Sequence, residues 1–460
     1  LHPLSLSNDF AARIARQRRL VTQGHTRPLA WRLEQLGRLE QALQPEEDLL
    51  NGLAEDLHKP AVEAYYEISR VRQELKLFQR KLRHWLRPER VKAPFVMQPS
   101  QAWVVADPLG CVLIIGPWNY PVMLLLSPLV AALGAGNTAV LKPSEHAPRT
   151  GELLAARLQQ HMDGDVVSVA LGGAETAQGL LSQRFDHVFF TGGNRVGRLV
   201  MEQAAKTMTP VTLELGGKNP CLVAEDANVP LAARRIAWGR FINSGQTCLA
   251  PDHVLVAPAV RDNFLAALQQ AIVDFYGDDP RISPDFGRIV NDAQFQRLAA
   301  LLRGRPVLWG GQTDAAERYV APTVVAVECW DDPLMEEEIF GPVLPILPLT
   351  SLEEAVDAIN SRPRPLALYL FSGQQAWRDR LLAGTSSGAV CFNDVVLQGG
   401  ISRLPFGGVG ESGVGAYHGR AGFVRLTHQR SVLQRPQSFD IPWRYPPYSN
   451  RLRWMKRLLR

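Results

Sequence analysis

Cysteine is scarce and scattered. Five thiols stand in 460 residues, at positions 111, 221, 248, 329 and 391. None forms a C-x-x-C pair and none has histidines at zinc spacing, so neither a disulfide framework nor a metal site is expected. The segment Leu1 to Leu20 is polar and rich in arginine, without the apolar centre of a secretory leader. Reduced thiols in a cytoplasmic compartment are the expectation that follows. Long apolar runs are missing too. The greasiest stretch, Cys111 to Leu141, is broken by Pro117, Pro121 and Pro128, carries Asn119 and Asn137, and ends against Lys142. A lipid-exposed helix tolerates that badly, so a buried strand–loop–helix is expected instead. Charge of one sign is also sparse. The net charge is +5, and the last thirty residues hold seven basic groups against Asp440 alone. The rest of the chain is therefore close to neutral, which excludes a basic body that binds nucleic acid and leaves only a basic tail.

What is present is an ordinary globular composition, 46% apolar and 21% charged, in a chain long enough for two or three domains. No internal repeat or low-complexity tract interrupts it. The first ninety residues read as helices, with apolar residues at three- and four-residue spacing over Glu34–Leu43 and Tyr65–Leu86. From about Ala102 short β-rich runs (Trp103–Val105, Cys111–Ile115, Thr138–Leu141, Val166–Leu171, His187–Phe190) alternate with helical segments. That alternation predicts a parallel, doubly wound sheet. A second alternating region follows Glu214, with a helix over Leu231–Phe241, a strand at His253–Val256, a helix over Asn263–Phe275 and a strand near Ala389–Phe392.

Four short segments carry chemistry, and each also has a plain structural reading. Asn243-Ser-Gly-Gln-Thr-Cys248 places a thiol in a small polar turn between a helix and a strand, where a nucleophile is kept accessible. A buried structural cysteine is the ordinary alternative. Glu214-Leu-Gly-Gly-Lys218 sets a carboxylate at a strand end before two glycines that permit close approach, as a general base would need. A salt bridge explains it equally well in isolation. Gly116-Pro-Trp-Asn-Tyr-Pro121 follows an apolar strand, and its asparagine amide is able to stabilise an oxyanion; a rigid aromatic turn is the alternative. Phe190-Thr-Gly-Gly-Asn-Arg-Val-Gly197 puts a glycine-rich turn at a helix start suited to a pyrophosphate, although it departs from G-x-G-x-x-G. Besides these, Leu141-Lys-Pro-Ser-Glu145 offers a lysine and a glutamate to a ribose, or is a solvated turn.

Taken in order, these segments carry a resemblance. PWNYP, LKPSE, FTGG…G, LELGGKNP, GQTC, EEIFGPV and LPFGGVGESG follow one another as in the aldehyde dehydrogenase superfamily, over about Ser7 to Arg435. The short N-terminus, Ala64-Tyr-Tyr-Glu67, Gly415-Ala-Tyr-His-Gly419 and Pro446-Pro-Tyr448 resemble its class 3 group, which includes fatty aldehyde dehydrogenases. The resemblance implies an α/β fold: a Rossmann-like cofactor-binding domain (1–90 and 110–213), an α/β catalytic domain (214–393), bridging and oligomerisation segments (91–109 and 394–435) and a basic tail (436–460). It implies NAD(P)-dependent oxidation of an aldehyde to the acid, with Cys248 as nucleophile, Asn119 and the Cys248 N–H as oxyanion donors, and Glu214 as the base that hydrolyses a thioester. Lys142, Glu145, Gly192, Gly197, Trp118, Leu215, Glu338 and Phe340 would hold the cofactor. Tyr65, Tyr120, Phe392 and His418 would line the substrate pocket, and no metal is implied.

Glu145 would repel a ribose 2′-phosphate and favours NAD, with NADP as the alternative. Gly193 stands where a serine is common and implies a roomier phosphate turn. Aromatic residues near the expected mouth suit a medium or long apolar aldehyde: aliphatic, terpenoid or aromatic. A homodimer is the expected assembly. Arg451–Arg460 reads as a basic amphipathic helix with Leu452, Met455 and Leu459 on one side. It either docks on protein or makes weak peripheral contact with an anionic membrane. Two rival readings stand beside this one: a relative that passes the acyl group to CoA rather than water, and a catalytically silent binding protein on the same fold.

Overall fold

The computed structural model describes residues 3–441, 444–448 and 451–458. Four helices open the chain: Pro3–Thr22, Leu29–Ala42, Glu46–Leu57 and Ala61–Trp85. The fourth shows why. Ala64, Ile68, Val71, Leu75, Phe78 and Leu82 recur at spacings of three and four, and all are fully buried. Two carboxylates, Glu67 and Glu74, share that buried face, and both prove to be hydrogen-bonded.

The next region forms a six-stranded sheet in the order Gly413–Val414, Val211–Glu214, His187–Thr191, Cys111–Ile115, Thr138–Lys142, Val167–Val169. Every pairing is parallel except that of the Gly413–Val414 edge. The chain winds outward from Cys111–Ile115 in one direction, then returns to place His187–Thr191 on its other side. Between those two strands lies the switch point at which open α/β sheets bind ligands. The expected strand–loop–helix after Cys111 is present: Met123–Ala135 is helical, and Leu124 to Ala135 are all buried. Among the described residues no helix is long and apolar enough to cross a membrane.

A second sheet, of seven strands, runs Val307–Trp309, Thr323–Ala326, Val343–Pro348, His253–Val256, Pro220–Val223, Ala367–Phe371, Ala389–Phe392, parallel after its first antiparallel pair. Its two faces bury separate cores. One includes Val223, Val254 and Tyr369 and has Cys248 packed at its edge; the other includes Leu222, Leu255, Leu368 and Leu370. A three-stranded antiparallel sheet, Glu89–Val91, Gln101–Pro108 and Thr427–Gln434, completes the fold, with eight paired positions from Thr427↔Pro108 to Gln434↔Gln101. The expected terminal helix is present over Leu452–Leu458; Leu459 lies outside the described residues.

Candidate active site

Both loops at the switch point open onto one groove of about 980 Å³. Pro117, Trp118 and Asn119 line it from the first strand's loop, and Gly192, Gly193 and Asn194 from the second. Glu214, Leu215 and Cys248 line the same space, as do Glu338 and Phe340. Asn119 and Cys248, far apart in sequence, are thus brought to one groove.

The turn that carries Cys248 is built by constraint. The helix Val229–Phe241 stops, and Asn243, Ser244 and Gly245 take positive φ values of 52°, 52° and 74°. Left-handed backbone at two non-glycine residues in succession needs support from its surroundings. That support is visible: the Asn243 N–H donates to Glu63 (2.9 Å), and Gln246 donates to the carbonyls of Asn243 and Arg288 while accepting from the Val290 N–H. Past the thiol, the Asn219 amide donates to the Cys248 and Ala250 carbonyls, and Tyr369 Oη donates to that of Leu249.

Electrostatics set the resting state. Burial, followed by the nearby carboxyls of Glu338 and Glu214, pushes the Cys248 thiol above its ordinary range; the main-chain N–H groups of Cys248 and Leu249 pull the other way. Burial alone pushes Glu214 well up, and neither of its oxygens has a hydrogen-bond partner among the described residues. Glu338 is raised to about 8, by burial first and then by Asp252, against a stabilising Gly217 N–H. The buried hydroxyls of Thr191 and Tyr417 are likewise unpartnered among the described residues. Unpaired buried polar groups cost stability unless a ligand or water completes them. Of these, Glu214 and Thr191 line the groove, where a ligand or water can complete them.

The cofactor residues fit a dinucleotide unevenly. Gly193 caps the Asn194–Ala205 helix, and nothing lies within 4 Å of where its side chain would be, so the N-terminal turn stands open to an anion, roomy as expected. Trp118 and Phe340 meet edge to face at 5.4 Å and frame the groove. Gly197 does not face it: the residue is buried, its N–H bonds the Gly193 carbonyl at 3.0 Å, and a side chain there would strike Leu215. Its role in the structure is to let the helix pack close to the sheet. Lys142 and Glu145, at the end of Thr138–Lys142, are paired at 2.8 Å and are not among the groove's lining residues.

The substrate-pocket residues scatter. Tyr120 is internal, its hydroxyl 2.7 Å from Thr247 Oγ1. His418 is buried, stacks on Phe406 at 5.2 Å and is lowered to about 3 by burial, then by Arg70. Phe406 does line the groove, so His418 stands one layer behind it. Tyr65 is 44% exposed and is not among the lining residues. Phe392 departs from the expectation: it packs, partly buried, with the core on the sheet face opposite Cys248 and does not line the groove, since strand alternation turns Cys391 rather than Phe392 toward the Cys248 side. Sequence reading does not single out Thr191, Arg297 or Phe406, all on the groove wall. Phe406 sits inside the quoted LPFGG segment, but nothing in that string distinguishes it from core.

The chain belongs to the aldehyde dehydrogenase family, which it matches over residues 7–432. It is an NAD(P)-dependent oxidoreductase acting on aldehydes. It is 48% identical to aldehyde dehydrogenase family 3 member B1 of Homo sapiens over 95% of this chain and 94% of that protein. It is 45% identical to the dimeric NADP-preferring aldehyde dehydrogenase of Canis lupus familiaris, over 94% and 97%. Among solved structures, the substrate-bound Staphylococcus aureus AldH superposes with a TM-score of 0.95 at 38% identity, covering 98% of this chain and 99% of that one.

Proposed function

We propose that the chain oxidises apolar aldehydes to carboxylic acids through an acyl thioester on Cys248. The sulfur, its proton released to solvent, adds to the carbonyl carbon, and the carbonyl electron pair moves to oxygen, where the Asn119 amide and the Cys248 N–H receive it. A dinucleotide held at the Gly193 turn and against Glu338 and Phe340 would supply the hydride acceptor, taking both electrons of the aldehyde C–H bond. Glu214 then takes a proton from water as that water adds to the thioester, and the thiolate departs, leaving the acid. The observation that carries this reading is the single groove lined by Asn119, Glu214 and Cys248 beside the open turn at Gly193.

Asn119 is prepared for its part. Its Nδ2 donates to the Gln246 carbonyl at 3.0 Å, which uses one of two amide hydrogens and leaves the other for a ligand oxygen. An unpartnered Glu214 favours water over CoA as the acyl acceptor. Substrate-panel turnover followed by nicotinamide absorbance, with product analysis with and without CoA, tests the reading. Acyl-CoA as the product would overturn it, as would turnover that survives Cys248→Ala.

Trp118, Leu124, Phe340 and Phe406 give the groove apolar patches among charged neighbours such as Arg195, Arg297 and Glu411, and those patches support an aliphatic, terpenoid or aromatic aldehyde. Glu145, held below its ordinary carboxylate range chiefly by its hydrogen bond to Lys142 against the effect of burial, keeps a negative charge beside the expected ribose. NAD is therefore the expected cofactor. The adjoining Lys142 leaves NADP usable, in keeping with the NADP-preferring canine relative. Strict NADP dependence at saturating aldehyde would contradict this. Ala389–Phe392 is an open sheet edge, and a homodimer that covers it accords with the dimeric relative. At the end of the described chain, Leu452 and Met455 are 65% and 40% exposed beside Arg453 and Lys456, which supports weak contact with an anionic membrane. Equal liposome binding by the full chain and by one ending at Asn450 would remove that idea.

A further inference from the structure

The most deeply buried ion pair among the described residues lies outside the groove. Lys59 and Glu67 meet at 2.6 Å with both side chains at 0% exposure. Neither lines the groove expected to take the aldehyde and the cofactor. Fully buried ion pairs are expensive to desolvate and contribute little net stability, so their persistence calls for another account.

The partners of this pair supply it. Lys59 Nζ donates a second hydrogen bond, 2.7 Å, to the main-chain carbonyl of Asn119, and it lies 4.2 Å from the centre of the Tyr120 ring. Glu67 accepts through its other oxygen from the Val122 and Met123 N–H groups, at 3.0 and 3.2 Å, where the next helix begins. The pair thus grips the Asn119 loop at its carbonyl and at its exit. From the opposite side, the Asn243 side chain donates to the same Asn119 carbonyl at 3.0 Å, and the Asn119 side chain donates to Gln246. Tyr120 Oη closes the ring of contacts on Thr247, the residue before the nucleophile. The loop of the oxyanion donor and the loop of the sulfur are held to each other, and Lys59 brings the positive charge to that joint.

We propose that the Lys59–Glu67 ion pair is a positioning device for the oxyanion donor, fixing the Asn119 main chain so that its side-chain amide meets the carbonyl on Cys248. This rests on the reading of Asn119 given above. A misplacement of about 1 Å in such a group is enough to cost about a hundredfold in rate. The charge makes the grip firm, because a neutral donor would leave the carbonyl with a weaker, longer bond. Lys59 and Glu67 act through Asn119 and touch no reacting atom.

The test is a double-mutant cycle on the full chain, with hexanal as substrate. Lys59→Met/Glu67→Gln removes both charges together, so no lone charge is left buried, and the introduced glutamine amide keeps an acceptor for the Val122 and Met123 N–H groups. The expected result is a fall of about ten- to a hundredfold in kcat, with the NAD dissociation constant and the thermal midpoint little changed. The same pair of changes in an Asn119→Ala background should produce no further fall. An equal fall in both backgrounds, or none in the first, overturns the inference while the Asn119 reading stands. If Asn119→Ala alone leaves kcat intact, the reading fails and the inference falls with it. Thermal and urea melts of Lys59→Met/Glu67→Gln guard against a folding defect, since no charge is left buried alone: a midpoint near the parent's, with kcat lowered only where Asn119 is present, supports the inference.

Discussion

The Glu338 carboxyl occupies the space that a side chain at Gly216 would fill. A Cβ at Gly216 would collide with both carboxyl oxygens and their carbon. The paired glycines after Glu214 therefore admit another part of the protein as well as a ligand: at Gly216 the visitor is Glu338, and at Gly217 it is the backbone of Pro365 and Leu366. Gly216→Ala should displace Glu338 and leave the nicotinamide end of the cofactor poorly oriented. The expected outcome is a loss of about a hundredfold in kcat with a small change in cofactor affinity, read from steady-state kinetics and a fluorescence titration. A change confined to affinity would assign Glu338 to binding alone.

The resting thiol is predicted to be mostly protonated at neutral pH. Burial and neighbouring carboxyls raise Cys248, so thiolate is the minor form below the raised value and grows as pH rises. Alkylation of the cofactor-free enzyme by iodoacetamide should accelerate about tenfold per pH unit from about pH 6 to 9 without levelling off. A plateau by about pH 8 would show a thiol of depressed pKa.

Glu214 gives a second pH signature. Its pKa is raised by burial, so the carboxylate form that the proposed deacylation requires is lost as pH falls, at a higher pH than for an exposed glutamate. Glu214→Gln should slow thioester hydrolysis by about 10²–10⁴ and remove that acid limb from the kcat profile. A limb unchanged in the variant would assign it to another group.

Two glycines should answer substitution in opposite ways. Gly193→Ser meets nothing within 4 Å and is expected to shift stability by less than about 0.5 kcal/mol. Gly245 has φ 74°, and a side chain there would strike the Gly341 carbonyl. Gly245→Ala combines left-handed strain, about 1–2 kcal/mol, with a backbone clash, and should lower the melting temperature and the activity together.

Much of the architecture is legible in the sequence because strand and helix periods are clean where one face is buried. His253–Val256 and Ala389–Phe392 coincide with their expected ranges, and the helix expected over Leu231–Phe241 begins two residues earlier, behind Asn228, whose side chain caps it. Strands at Val343–Pro348 and Ala367–Phe371 escape such a reading. The first contains prolines and the second is a five-residue apolar run, so period alone cannot separate either from a turn or a buried helix. Within the site, Asn119, Glu214 and Cys248 are visible as residues, but their convergence is not, since it depends on the order of strands in two sheets. Phe392 is misplaced by sequence because one residue of register decides which face a strand side chain joins. Lys59 leaves no trace, and Glu67 enters only as the last residue of the quoted Ala64–Glu67 segment: among so many charged neighbours both read as surface, and only packing against the Asn119 loop buries them.

One measurement bears most directly on the central claim. Glu214→Gln should be mixed with aldehyde and NAD, quenched after a few turnovers' time, and mapped by peptide mass spectrometry. The account predicts one equivalent of reduced cofactor per chain and an acyl group, the mass of the aldehyde less two hydrogens, on the peptide containing Cys248. An unlabelled Cys248 alongside reduced cofactor, or an acyl group on another residue, would contradict it.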